Sequence, residues 1–124
     1  MTFAWLGALN AFFAVAAGAF GAHGLKTRVS PEMLATFETG ARYHMYHALA
    51  LFAVAWLTTR AGAGGAGVKL AGVGGWMFLA GIVLFSGSLY AYSLTGVRSL
   101  AYITPVGGLA FLAGWILVAI AASR

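Results

Sequence analysis

Four apolar stretches, over residues 3–22, 38–59, 70–94 and 103–122, take up most of this 124-residue chain. Each is close to the roughly 20 residues that a helix needs to cross a bilayer. Backbone in hydrocarbon must satisfy its own N–H and C=O groups, so stretches of this kind fold as helices. The expected fold is therefore all-α: an integral membrane four-helix bundle, one multi-pass domain over 1–124. Four spans use about 80 residues, which leaves short connections and no room for a soluble catalytic domain.

Charge supports the same class. Seven basic and two acidic residues make up 7% of the chain, and 62% of it is apolar before its 18 glycines are counted. Soluble domains carry about 25% charged residues, so an ordinary soluble enzyme is excluded, and disorder is excluded by the apolar content. The chain has no cysteine, which removes disulfides, iron–sulfur clusters and thiolate metal sites. The net charge of +5 does not point to nucleic acid, because Lys26, Arg28, Arg42, Arg60, Lys69, Arg98 and Arg124 form no cluster. They suit anionic headgroups instead. Divided between the two sides of a four-span protein they nearly balance, and the reading leans to termini inside.

The first run has no charge before Lys26 and is longer than a signal-peptide core, so it reads as a span. Its small residues Gly7, Ala11, Ala14, Gly18 and Gly21 recur at a spacing that lets a second helix approach closely. Asn10 is the polar residue inside it, suited to a helix-to-helix hydrogen bond. Ser30-Pro31-Glu32 is a helix start, with a Ser cap, Pro in the first turn and an acid near the positive end of the dipole. Helix two should run from Pro31 to Thr59, about 43 Å, so residues 31–37 extend beyond the hydrocarbon. Glu38 and Arg42 are spaced for an ion pair. Residues 60–68 read as a flexible glycine-rich connection; Lys69 is followed by Leu70, so this is not a phosphate-binding loop. Residues 95–101 read as a short turn. Thr104-Pro105 suits the start of the last span, where Gly107, Ala110, Gly114 and Ala121 form a second small face.

Polar groups in spans are costly and often functional. Here they gather in three places: His23; the segment Arg42-Tyr43-His44-Met45-Tyr46-His47; and Ser86, Ser88, Tyr90, Tyr92 and Ser93. All three lie toward the same end of their helices and can converge into one pocket at one membrane boundary. Histidines at such a boundary can hold a metal or a haem, with His23 and His47 the candidate ligands. Equally, a His/Tyr/Arg set can hold a quinone or lipid headgroup, or serve only as a structural cluster. No catalytic constellation is present.

Four strings in order, Gly18-Ala19-Phe20-Gly21-Ala22-His23, Tyr43-His44-Met45-Tyr46-His47-Ala48-Leu49, Leu84-Phe85-Ser86-Gly87-Ser88-Leu89-Tyr90, and Thr104-Pro105-Val106-Gly107-Gly108 with Gly114-Trp115, give the chain a resemblance. It resembles the family of small four-span membrane proteins of unknown function that includes bacterial YwdK and the eukaryotic transmembrane protein 256. The resemblance implies four helices and a membrane location, and brings no activity, substrate or cofactor. The family's second motif is usually Tyr-Gln-x-x-His, so His44 stands where glutamine is usual. His23, Tyr43, His47, Ser86 and Tyr90 fall on motif positions and form the candidate pocket, with Arg42, His44, Glu38 and Asn10 secondary to it.

Three functional readings follow. The first is a structural or interaction protein without catalysis, packing through small-residue faces against further copies or a membrane partner. The second is a binder or carrier of a lipid, quinone, haem or metal in the pocket. The third is a small-solute channel within an oligomer.

Overall fold

The structure is a computed structural model that describes residues 1–60 and 64–124. All regular structure among these residues is helical. α1 (Thr2–Phe20) continues into a π-helical turn at Gly21–Leu25; α2 covers Pro31–Thr59. α3 (Gly65–Gly81) runs through a second π-helical turn at Ile82–Ser86 into α4 (Gly87–Thr95), making one rod. A 3₁₀ turn at Arg98–Tyr102 then leads to α5 (Thr104–Ala122). The four rods alternate in direction: α1 residues 7, 10 and 21 meet α2 residues 48, 44 and 37, and α3 residue 74 meets α5 residue 114.

Three of the helix ends have a clear chemical cause. The Ser30 hydroxyl accepts from the Met33 N–H, with Pro31 in the first turn. α4 ends at Gly96, whose φ of 71° is left-handed and cheap only for glycine. The Arg60 guanidinium reaches the Ala121 carbonyl at 3.5 Å and lies over the Trp56 ring, a cation at the negative end of α5.

Three ends differ from the sequence reading. Helix one extends through the π turn to Leu25. The third helix starts at Gly65 instead of 70, because Gly67 is buried against Ala121 and Arg124; packing outweighs the low helix propensity of glycine there. Positions 61–63 of the predicted glycine-rich connection lie outside the described residues. The predicted turn before the last span is partly a 3₁₀ helix. Thr104 does not cap α5: its hydroxyl lies 2.6 Å from that of Ser88 on α4.

Three rods, Thr2–Leu25, Gly65–Thr95 and Arg98–Ala122, are long and apolar enough to cross a membrane by length and composition. α2 is not, since its segment 31–47 carries both acids, Arg42 and two histidines. It is instead the inner helix: eleven of its residues are buried, against two in α1. It lies antiparallel to α1 over the same depth, and the other helices screen His44 and His47 from lipid, while Glu38, Arg42, Tyr43 and Tyr46 stay exposed. Phe12, Phe13, Leu109, Leu112 and Ile116 face outward. The result is an integral membrane four-helix bundle.

The apolar core lies in one half of the bundle. Leu51, Val54, Leu57, Ala71, Phe78, Phe111 and Val118 pack there, with Leu51, Val54 and Phe78 fully enclosed. Glycines allow the close approach. A Cβ on Gly7 would stand 2.9 Å from the Ala48 carbonyl oxygen, and one on Gly114 would stand 2.7 Å from the Phe78 ring. A Cβ on Gly107 would collide with the Phe85 backbone, and one on Gly21 would press on the Phe37 ring at 3.1 Å. Ala14 and Ala121 are buried, Ala11 and Ala110 half-buried. Gly18 differs: it is exposed and a Cβ there would meet nothing within 4 Å.

Candidate functional site

The polar residues occupy the other half of the bundle, toward Leu25 and the 3₁₀ turn. They form two separate networks, each centred on one histidine of α2.

His44 is 7% exposed and joins three rods. Asn10 on α1 donates to the Leu6 carbonyl at 2.8 Å, which turns its amide oxygen toward His44 Nε2 at 3.1 Å. That oxygen only accepts, so Nε2 carries the proton. His44 Nδ1 then accepts from the Tyr90 hydroxyl of α4 at 3.0 Å. A neutral imidazole is satisfied at both nitrogens.

His47 is 4% exposed and has the opposite tautomer. The Trp115 indole N–H, which can only donate, reaches its Nε2 at 3.1 Å, so Nδ1 bears the proton and donates to the Tyr43 carbonyl at 2.7 Å. The ring also lies flat on Phe111, with 3.5 Å between centroids and 7° between planes. A metal or haem iron would need a free lone pair, and both nitrogens of His47 are engaged. Among the described residues no three His, Asp or Glu side chains gather as a metal-binding group.

The second network forms the wall of a groove of about 680 Å³, open on its outer side. Tyr43, Tyr46 and His47 of α2 line one flank, and Pro105, Gly108, Phe111 and Trp115 of α5 the other, with Phe85 of the π turn between them. The rings are in mutual contact: Tyr43 lies 4.9 Å from Phe85, and Phe85 lies 5.4 Å from Phe111. The hydroxyls of Tyr43 and Tyr46, both partly exposed, have no hydrogen-bond partner among the described residues. From Pro105 to Trp115 the groove runs about 15 Å along α5.

The motif residues are thus divided. Tyr43 and His47 line the groove, and Tyr90 belongs to the His44 network. Ser86, at the end of the π turn, is fully buried and its hydroxyl has no partner among the described residues. His23 is exposed and lines neither this groove nor the second cavity. That second cavity, about 350 Å³, lies between α1 and α2 and is lined by Ala14, Gly18, Glu38, Ala41, Arg42 and Met45. Glu38 and Arg42 share its wall, and among the described residues no ion pair joins them. Sequence reasoning placed Tyr46 only within the polar segment 42–47, and missed Phe85, Phe111 and Trp115 as groove residues. Trp115 and Pro105 were visible in the fourth motif, but nothing local ties them to His47.

The family described as "Protein of unknown function (DUF423)" matches residues 17–108. This chain belongs to that family. It is 49% identical to the UPF0382 membrane protein YwdK of Bacillus subtilis, over 96% of this chain and 94% of the relative. It is 47% identical to a UPF0382 membrane protein of Staphylococcus aureus, over 94% and 90%. A relative in Staphylococcus saprophyticus is 44% identical over 93% and 91%. No solved structure matches this chain. The relatives are named membrane proteins, and the family brings no assigned activity. The family match ends at Gly108, inside the α5 flank of the groove, while the pairwise likenesses extend over nearly the whole chain.

Proposed function

We propose that this protein binds a lipophilic small molecule with a planar polar head, of the isoprenoid-quinone class, in the aromatic groove between α2 and α5, and does so without catalysis. The observation that carries this reading is the pairing of a continuous aromatic wall with the unpartnered hydroxyls of Tyr43 and Tyr46. Rings grip a planar group by stacking, and the hydroxyls donate to its carbonyl oxygens. The volume of about 680 Å³ lies in the range of small-molecule sites. His47 acts as a clamp: its hydrogen bond from Trp115 and its stack on Phe111 hold α2 and α5 at the groove's width, and its bond to the Tyr43 carbonyl fixes the ring on α2.

The interaction-protein reading has less support. Of the glycines that motivate it, Gly7, Gly21, Gly107 and Gly114 are occupied by contacts within the chain, and Gly18 alone is open to a second copy. No observation favours a channel.

Quinones quench indole fluorescence on contact, so the test is titration of a short-chain naphthoquinone into detergent-solubilised protein whose only tryptophan is Trp115. Saturable quenching is expected, lost in Gly108→Leu. Gly108 lines the groove, and a Cβ there meets only the Phe85 ring at 3.8 Å, so the leucine fills the groove without disturbing the helix. Linear, unsaturable quenching, or saturation unchanged by the leucine, refutes the proposal.

A further inference from the structure

The cavity between α1 and α2 lies on a different face of α2 from the aromatic groove, and its lining is graded. α2 contributes Glu38, Ala41, Arg42 and Met45 in order of increasing depth, over about 10 Å; α1, antiparallel, contributes Gly18 at the shallow end and Ala14 deeper. One end therefore carries an acid and a base, and the other is apolar. Glu38 and Arg42 are spaced for pairing on a helix, but no ion pair joins them among the described residues. Gly18 leaves the space beside them open: a Cβ there meets nothing within 4 Å. The span ends near Leu25, about 10 Å from Gly18, so the charged end faces the headgroup layer.

We propose that this cavity is a binding site for a phospholipid with a primary-ammonium headgroup, of the phosphoethanolamine class. Arg42 holds the phosphate by charge-assisted hydrogen bonds, Glu38 accepts from the ammonium, and the first acyl carbons lie along Gly18, Ala14 and Met45. The headgroup thus completes a charge pair that the helix leaves open. A choline headgroup has no N–H for Glu38, and quaternary ammonium is recognised by aromatic faces, of which this cavity has none. A glycerol headgroup supplies phosphate without the cation and leaves Glu38 beside an anion.

Native mass spectrometry of the detergent-solubilised full chain, with equal additions of phosphatidylethanolamine, phosphatidylcholine and phosphatidylglycerol, tests this. The ethanolamine lipid should be retained most. Arg42→Ala should lower its retention about tenfold, the effect of one charge-assisted hydrogen bond. Glu38→Gln should abolish the preference over phosphatidylglycerol while binding persists. Gly18→Leu should remove binding with unchanged thermal stability, since it fills open space. Free glycerophosphoethanolamine should fail to compete; equal competition would mean that the site takes the soluble headgroup, which overturns the lipid assignment. Equal retention of the three lipids, or a Glu38→Gln protein with undiminished selectivity, also overturns it.

Discussion

His44 ties three rods through two hydrogen bonds, and replacing it separates shape from bonding. In His44→Leu the side chain is of similar bulk but neither bonds Asn10 nor accepts from Tyr90. Interhelical hydrogen bonds in membrane bundles average about 0.6 kcal/mol and reach about 1.7. Two of them therefore set a loss of about 1 to 3 kcal/mol. The upper part of that range applies if the half-buried Tyr90 hydroxyl, left at the α2–α4 contact, finds no other acceptor. His44→Gln should behave differently. Glutamine also offers one donor group and one acceptor, so it can donate to Asn10 Oδ1 and accept from Tyr90 at once; its cost should stay below about 0.5 kcal/mol. Reversible unfolding in mixed micelles, read as a cycle with Tyr90→Phe, measures both. The cycle should return a positive coupling between positions 44 and 90 in the parent and in the glutamine protein, and none with leucine. If leucine is neutral, or glutamine costs as much as leucine, the hydrogen bonds do not hold the rods together.

Three further outcomes follow from the same geometry. Gly107→Ala should cost about 1 to 3 kcal/mol by overpacking against the Phe85 backbone, whereas Gly18→Ala should be neutral or stabilising by up to about 1 kcal/mol, since alanine is the better helix former; thermal unfolding in detergent distinguishes them, and equal effects would refute the packing. Ser86→Ala should be neutral or stabilising by up to about 1 kcal/mol, because it removes a buried hydroxyl with no partner; a clear loss would mean that the hydroxyl is bonded. Nitrogen-15 spectra of the imidazoles near neutral pH should show His44 protonated at Nε2 and His47 at Nδ1, and Trp115→Phe should release the preference at His47 alone. A shared tautomer would contradict the two networks.

The sequence was informative about class and much less so about pairing. Charge scarcity and run length predict a helical membrane bundle. The cap at Ser30 is local, since its bond spans three residues, and it can be read from the chain. The polar residues were visible as well, because a histidine or asparagine stands out in an apolar span. What they touch was not. His44 and Tyr90 are 46 positions apart, and Trp115 and His47 are 68 apart. Spacing along a helix makes His44 and His47 neighbours on one surface. The structure divides them, because His44 faces α1 and α4 while His47 faces α5.

His44 also shows the limit of a motif. A departure from the usual glutamine weakens any role that requires one residue type, but here the required property is one donor and one acceptor, which both residues have. The small faces show a related limit. Their spacing predicts close helix contact and cannot say with which helix, and the contacts fall inside the chain, leaving only Gly18 open.

By itself, then, the sequence determined the solvent: with so few charges and backbone groups that must be satisfied internally, only membrane helices remain. The tertiary structure decided which helix is innermost, which tautomer each histidine holds, and where cavities remain. These depend on contacts between residues far apart in the chain, whose geometry is set by helix crossing and glycine close approach, and no local pattern of residues encodes them.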